Sequence, residues 1–170
     1  MALSPLQGLR KHLGNHRCRN RRHSRLNRST AGRVPGLYNL VLYLKRPCVI
    51  QVGKLGRFHF QRGYYIYTGS ARGGLDQRLR HYSKDPSSPR WHIDYLRKHA
   101  RLIKALCYAN AEIDECALND AILALRGATV PVKGFGSSDC SCISHLAFFS
   151  AEGGLPAQIQ KAKGCSVRAP

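Results

Sequence analysis

Acidic residues are scarce in this chain and absent from its first part; the earliest is Asp76. Only 9 Asp or Glu stand against 28 Lys or Arg, a formal net charge of +19 over 170 residues. That imbalance excludes the near-neutral surface of an ordinary soluble enzyme and points to a polyanionic partner. No apolar run approaches the length of a membrane span, so no membrane partner is expected. The N-terminal part lacks the apolar stretch of a secretory signal. No Gly-x-x-x-x-Gly-Lys-Ser/Thr string occurs, which excludes a P-loop. Seven cysteines, an odd number, do not suit a secreted disulfide scaffold of this size, and reduced thiols in a cytoplasmic setting are the simpler expectation.

Hydrophobic residues make up 43% of the chain, enough for a core, and the length fits one domain. Residues 1–35 hold nine of the bases (Arg10, Lys11, Arg17, Arg19, Arg21, Arg22, Arg25, Arg28 and Arg33) together with His12, His16 and His23. They have few apolar side chains and no sustained periodicity, so they are expected to form a flexible basic arm, either touching phosphates or simply solvated. An Arg-rich, acid-free start also leaves organelle targeting open. The Gly-, Pro- and Lys-containing stretch 151–170 reads as a loose tail, which leaves 36–150 as the folded unit.

Within that unit, Leu37–Lys45 alternates in part, with Tyr38, Leu40, Leu42 and Leu44 on one face, and reads as a strand. Cys48–Val52 and Phe58–Phe60 read as short strands around a Gly53/Gly56 turn, and Tyr64–Thr68 as a further strand ending at Gly69. Leu75–Tyr82 is expected to be helical, with Asp76 in its first turn. Trp91–His99 reads as a second helix with Trp91, Tyr95 and Leu96 inward. Arg101–Ala109 reads as a strand, Ala111–Leu125 as the clearest helix, and His145–Ser150 as a last strand. The Gly-rich stretch from Gly134 to Cys140 reads as a loop. Strands, then helices, then strands predict an α+β domain: a small mixed β-sheet flanked by helices.

Two short motifs, Gly36-Leu37-Tyr38 and Tyr67-Thr68-Gly69, lie on successive predicted strands, followed by Ser70-Ala71, Gly74-Leu75 and Arg78. This ordering resembles the GIY-YIG nuclease superfamily. The wider string from Gly63 through Gly69-Ser70-Ala71 to Trp91-His92-Ile93-Asp94-Tyr95, with Gly134-Phe135-Gly136-Ser137-Ser138-Asp139-Cys140 and Ser144-His145-Leu146, is similar to one small, uncharacterised prokaryotic branch sometimes fused to endonuclease III-type DNA glycosylases. The resemblance covers roughly residues 36–150. It implies a metal-dependent endonuclease acting on nucleic acid, DNA in the first instance, with a role in repair and a cytoplasmic location. By position, Tyr38 and Tyr67 take the places of the family's two tyrosines, Arg78 that of its helical arginine, and Glu115 that of its metal-binding glutamate. Tyr82, four residues after Arg78, takes the place of a further Tyr or His, with His81 competing for it. Two departures stand out. The stretch between Tyr38 and Tyr67 is longer than the family's short hairpin, and its late asparagine has no counterpart, since Asn119 lies on the same predicted helix as Glu115.

These residue types suit phosphodiester hydrolysis. A carboxylate such as Glu115 can hold one hard cation, Mg²⁺ or Mn²⁺, which polarises the phosphate. Arg78 can donate a fork of hydrogen bonds as charge builds on the phosphoryl oxygens. Tyrosine has a free pKa of about 10, so a tyrosine base requires its phenolate to be favoured by nearby positive charge, which Arg78 and a metal would supply. At helical spacing, Glu112, Glu115 and Asn119 are expected along one polar stripe. Arg72 and Arg80 are the expected nucleic-acid contacts. His92 and Asp94 read as site supports, or as a satisfied histidine and a helix cap. Asp139, Cys140, Cys142 and His145 form a C-x-C-x-x-H cluster, with Cys116 elsewhere in the chain. The tight C-x-C spacing and the lack of an assured fourth ligand favour a structural loop near the active site, and zinc is not expected. Two other functional classes remain: a noncatalytic nucleic-acid-binding module on a diverged nuclease fold, and a thiol or zinc protein.

Overall fold

A computed structural model describes residues 33–84 and 87–165. Its main sheet has four strands in the order β5-β1-β4-β6. These are β1 (Gly36–Leu44), β4 (Gly63–Ala71), β5 (Arg101–Ala109) and β6 (Leu146–Ser150). Between β1 and β4 the chain forms a separate hairpin of β2 (Cys48–Val52) and β3 (Gly56–Phe60). The helices are α1 (Leu75–Tyr82), α2 (His92–Arg97), α3 (Glu115–Leu123) and α4 (Ala157–Lys161). The α+β class is as the sequence implies. The expected mixture of strand directions is not found: every pairing of named strands is antiparallel, because β1, β4 and β6 succeed one another across the sheet with alternating direction.

β1 is central and is covered on both faces. Tyr38, Leu40, Leu42 and Leu44 point into a core shared with the hairpin, α1 and α2. Val41 points the other way, into a smaller core with Ile66, Leu106, Ile122 and Ile159. Strand side chains alternate between faces, so one strand serves both layers. Polar Asn39 on this second face is fully buried but satisfied: its amide donates to Thr68 Oγ1 (2.9 Å), and its carbonyl accepts from the Tyr108 hydroxyl (3.0 Å).

The long stretch between the two motifs is thus an inserted hairpin, and it leaves the motifs paired. β1 and β4 are in register over nine residues, with Tyr38 opposite Gly69 and Leu40 opposite Tyr67. Gly69 is required by this closeness, because a Cβ there would collide with the Tyr38 hydroxyl and ring. The hairpin also contributes Ile50, Val52 and Phe60 to the main core.

Five expectations change. The helix read over Ala111–Leu125 is shorter: Asp114 caps it, its carboxylate accepting from the Ala117 amide at 2.8 Å, and Glu112 lies ahead of the helix. Asn119 leaves the supposed polar stripe and is buried, its amide donating to the Ser144 carbonyl (2.9 Å). α2 is shorter than expected: Trp91 is its N-cap, Ile93, Asp94 and Leu96 are buried, and Trp91 and Tyr95 pack half-buried against the main core. The tail is not loose up to residue 165. α4 buries Ile159, and Lys104 Nζ donates to the carbonyls of Ile159, Gln160 and Ala162 (3.0, 2.8 and 3.3 Å), a cation at a helix C-terminus. Beyond α4 the Cys165 amide donates to the Ala105 carbonyl at 2.8 Å, and Cys165 is disulfide-bonded to Cys107. Cys116 is disulfide-bonded as well, so the thiols are not uniformly reduced; Cys48, Cys140 and Cys142 are free. Almost all of the basic arm, residues 1–32, lies outside the described residues. Among the described residues, no helix is long and apolar enough to cross a membrane.

Candidate functional site

Tyr38 on β1, Tyr67 on β4, Arg78 on α1 and Glu115 at the start of α3 line one cavity of about 460 Å³. Ser70, Arg72, Trp91, His92 and Asp139 complete much of its wall. The sheet supplies the floor: Tyr38 and Tyr67 stand on neighbouring strands with ring centroids 6.4 Å apart. Tyr82 backs the cavity without lining it, its hydroxyl 2.7 Å from that of Tyr38. Arg78 lies one helical turn before Tyr82, as i and i+4 spacing requires. Its guanidinium stacks 4.1 Å from the Trp91 ring centroid, a cation–π contact that holds the fork without consuming its donors.

The tyrosines depart from expectation in one respect. Burial pushes the Tyr38 and Tyr67 hydroxyls well above the ordinary range, and the neighbouring phenols add to the rise. Arg78 opposes this and does not win. Arg78 alone therefore does not make either tyrosine a phenolate; both are held as phenols, which donate hydrogen bonds.

Glu115 behaves differently. Burial raises its carboxyl, but hydrogen bonds from His145 and Ser70 and the charge of Arg72 outweigh that and hold it below the usual carboxylate range. An ionised Glu115 with the Asp139 carboxylate on the same cavity wall gives hard oxygen donors, which fit Mg²⁺ or Mn²⁺.

Asp94 is fully buried and serves as a brace. It accepts from the backbone amides of Arg90 (2.9 Å) and Trp91 (3.1 Å), from Arg97 Nη1 (3.3 Å), and pairs with His81 Nε2 (3.0 Å). Burial would raise this carboxyl; these donors hold it low. Asp94 thus caps α2 and fixes Trp91 under Arg78, and His81 belongs to this brace rather than to the cavity. His92 Nδ1 accepts the Gly136 amide at 3.0 Å, tying α2 to the Gly-rich loop. Gly136 sits at φ 73°, where a Cβ would come within 2.7 Å of the Tyr67 ring, so glycine is required there twice over. Of the two arginines expected to contact nucleic acid, exposed Arg72 lines the cavity, whereas Arg80, exposed on α1, does not.

On the far side of Glu115 the C-x-C-x-x-H cluster closes. His145 Nδ1 lies 2.9 Å from Glu115 Oε1, and His145 Nε2 lies 3.4 Å from Cys140 Sγ and 3.9 Å from Cys116 Sγ. The ligand atoms of Cys116, Cys140, Cys142 and His145 all fall within 4.8 Å of one another, a group that could hold a metal ion. No assured fourth member was legible in the sequence, because Cys116 reaches the cluster only through the packing of α3 on β4. Burial and then Cys140 push the Cys142 thiol up to about 12. A second cavity, of about 300 Å³, opens beside this group, and Glu115, Asp139 and Arg72 line both cavities.

Ser70, quoted in the motif without a role, and Arg90 were not among the expected site residues. Each adjoins a residue already singled out, Gly69 or Trp91, and that adjacency was the available signal. A family model described as Domain of unknown function DUF123 matches residues 37–165. No curated protein and no solved structure matches the chain.

Proposed function

The chain belongs to the DUF123 family, and from that premise we propose that it is a metal-dependent endonuclease of the GIY-YIG kind, hydrolysing phosphodiester bonds in DNA and serving in repair. One observation carries the reading: Tyr38, Tyr67, Arg78 and Glu115, distant in sequence, line a single cavity. The net charge of +19 supplies long-range attraction for the polyanion.

Within the cavity, Arg78 donates its fork to the scissile phosphate, already oriented by Trp91 and Tyr82. The Tyr38 and Tyr67 phenols donate to phosphate oxygens or orient the attacking water. Water adds to phosphorus, the bond to the leaving oxygen breaks, and a proton passes to that oxygen. Mg²⁺ or Mn²⁺ held by Glu115, with Asp139 beside it, would supply Lewis-acid polarisation and a water acidic enough to attack. Arg72 and the basic arm extend contact along the backbone.

The test is a plasmid assay. Supercoiled DNA is incubated with the wild-type chain and with Glu115→Gln, in Mg²⁺, Mn²⁺ or EDTA. The expected result is metal-dependent nicking that falls by about a hundredfold or more in the variant. Equal nicking by both would remove Glu115 from the site. A second reading, a noncatalytic nucleic-acid-binding module, is favoured by the buried, protonated tyrosines. It is the outcome if DNA is retarded at low salt and no metal supports nicking.

A further inference from the structure

We propose that the loop between Gly134 and Leu146 binds one Zn²⁺ through Cys140 Sγ, Cys142 Sγ and His145 Nε2. This proposal does not depend on whether the tyrosine cavity cuts DNA.

Three observations carry it. The first is distance. A tetrahedral zinc with bonds of about 2.3 Å to sulfur and about 2.0 Å to nitrogen separates its ligand atoms by about 3.5–3.8 Å. His145 Nε2 and Cys140 Sγ are 3.4 Å apart, and the whole group lies within 4.8 Å. Small rotations of the half-buried Cys142 side chain complete the approach.

The second is the orientation of the imidazole. Ionised Glu115 can only accept, so His145 Nδ1 carries the proton of their 2.9 Å bond. That arrangement turns Nε2, with its lone pair, toward the thiols. A carboxylate behind a histidine behind a metal is how such rings are held for ligation.

The third is the frame. The Gly134 amide donates to the Ile143 carbonyl and the His145 amide to the Phe135 carbonyl, both at 2.8 Å, closing the loop on itself. The Thr68 amide donates to the His145 carbonyl (3.0 Å), and Asn119 donates to Ser144 (2.9 Å). The ligands are therefore pre-positioned by β4 and α3 rather than gathered by the metal.

The donor set chooses the ion. Two thiolates and an imidazole suit zinc, whereas Mg²⁺ and Mn²⁺ prefer oxygen. On binding, the Cys140 and Cys142 thiols each release a proton to solvent, and two Zn–S bonds and one Zn–N bond form. Cys116, disulfide-bonded, is not counted as a ligand, and water takes the fourth position. Bound zinc would brace the loop that carries Gly136, Ser138 and Asp139 into the wall of the tyrosine cavity.

The experiment uses the full chain, purified without chelator, and measures zinc per chain by mass spectrometry. Cobalt(II) is then exchanged in, and thiolate charge-transfer and tetrahedral d–d absorption are recorded. The paired variant Cys140→Ser with Cys142→Ser is compared with Cys48→Ser, a free cysteine outside the group, and circular dichroism confirms that each is folded. About one zinc per chain and a thiolate–cobalt band are expected in wild type and Cys48→Ser, both falling at least tenfold in the paired variant. Folded wild type that takes up no stoichiometric zinc, or a paired variant that keeps it, overturns the proposal. Neither readout involves nicking, so failure here is distinguishable from failure of the nuclease reading.

Discussion

The tyrosine cavity and the thiol loop meet at Glu115 but are put together in opposite ways. The cavity draws on β1, β4, α1 and α3, so its side chains converge only when the sheet has its register. The Tyr38 hydroxyl is paired with that of Tyr82 behind the cavity, and burial keeps Tyr38 and Tyr67 neutral. The loop takes its three proposed ligands from the short run Cys140 to His145 and holds them with local backbone bonds. The first arrangement makes geometry a property of the whole fold. The second makes it a property of one segment, anchored at a few points. Charge is handled accordingly: the cavity offers a fixed cation and an anion that is already ionised, while the loop offers groups that must shed protons to act.

If the two are separable, Arg78→Ala should lower nicking by about 10²–10³-fold and leave cobalt absorption unchanged. A parallel loss of both signals would show that the regions form one unit. Tyr82→Phe asks whether the cavity supports the global fold. It leaves the buried Tyr38 hydroxyl without its 2.7 Å partner, so urea denaturation should report a loss of about 1–3 kcal/mol, with zinc content retained. The smallest effect belongs to the joint between the regions. Burial depresses His92, whose Nδ1 accepts the Gly136 amide. Because its folded pKa lies below the unfolded value of about 6.5, its contribution is fully present above that pH and is lost as pH falls through the lower folded value. Amide exchange at Gly136 should therefore rise, relative to its intrinsic rate, below about pH 6.5. In His92→Ala this pH dependence should disappear.

What was legible in the sequence follows from range. Tyr38, Tyr67, Arg78 and Tyr82 could be placed because each sits in a motif a few residues long, and strand alternation or one helical turn then fixes its direction. Cys116 could not be joined to Cys140 and His145, because that meeting depends on how α3 packs. The Cys107–Cys165 link, spanning 58 residues, was equally invisible, and composition alone made the tail look unattached. That Arg78 alone leaves the tyrosines as phenols was illegible for a different reason: charges can be counted along a chain, but desolvation depends on burial, which the fold decides.

That returning tail has a consequence for how the molecule behaves among its copies. A sheet of four strands ends in two rows of unsatisfied backbone groups, and such rows invite another chain to add a strand. Here each row is interrupted near its middle. Cys165 bridges Ala105 on β5, and Thr129 bridges Phe148 on β6, with amide–carbonyl distances of 3.0 and 2.8 Å. Strand-by-strand growth thus meets an interruption at each edge of the main sheet. If the chain crowds along a polyanion, as the proposed function implies, neighbours brought close by shared attraction meet main-sheet edges that are already interrupted.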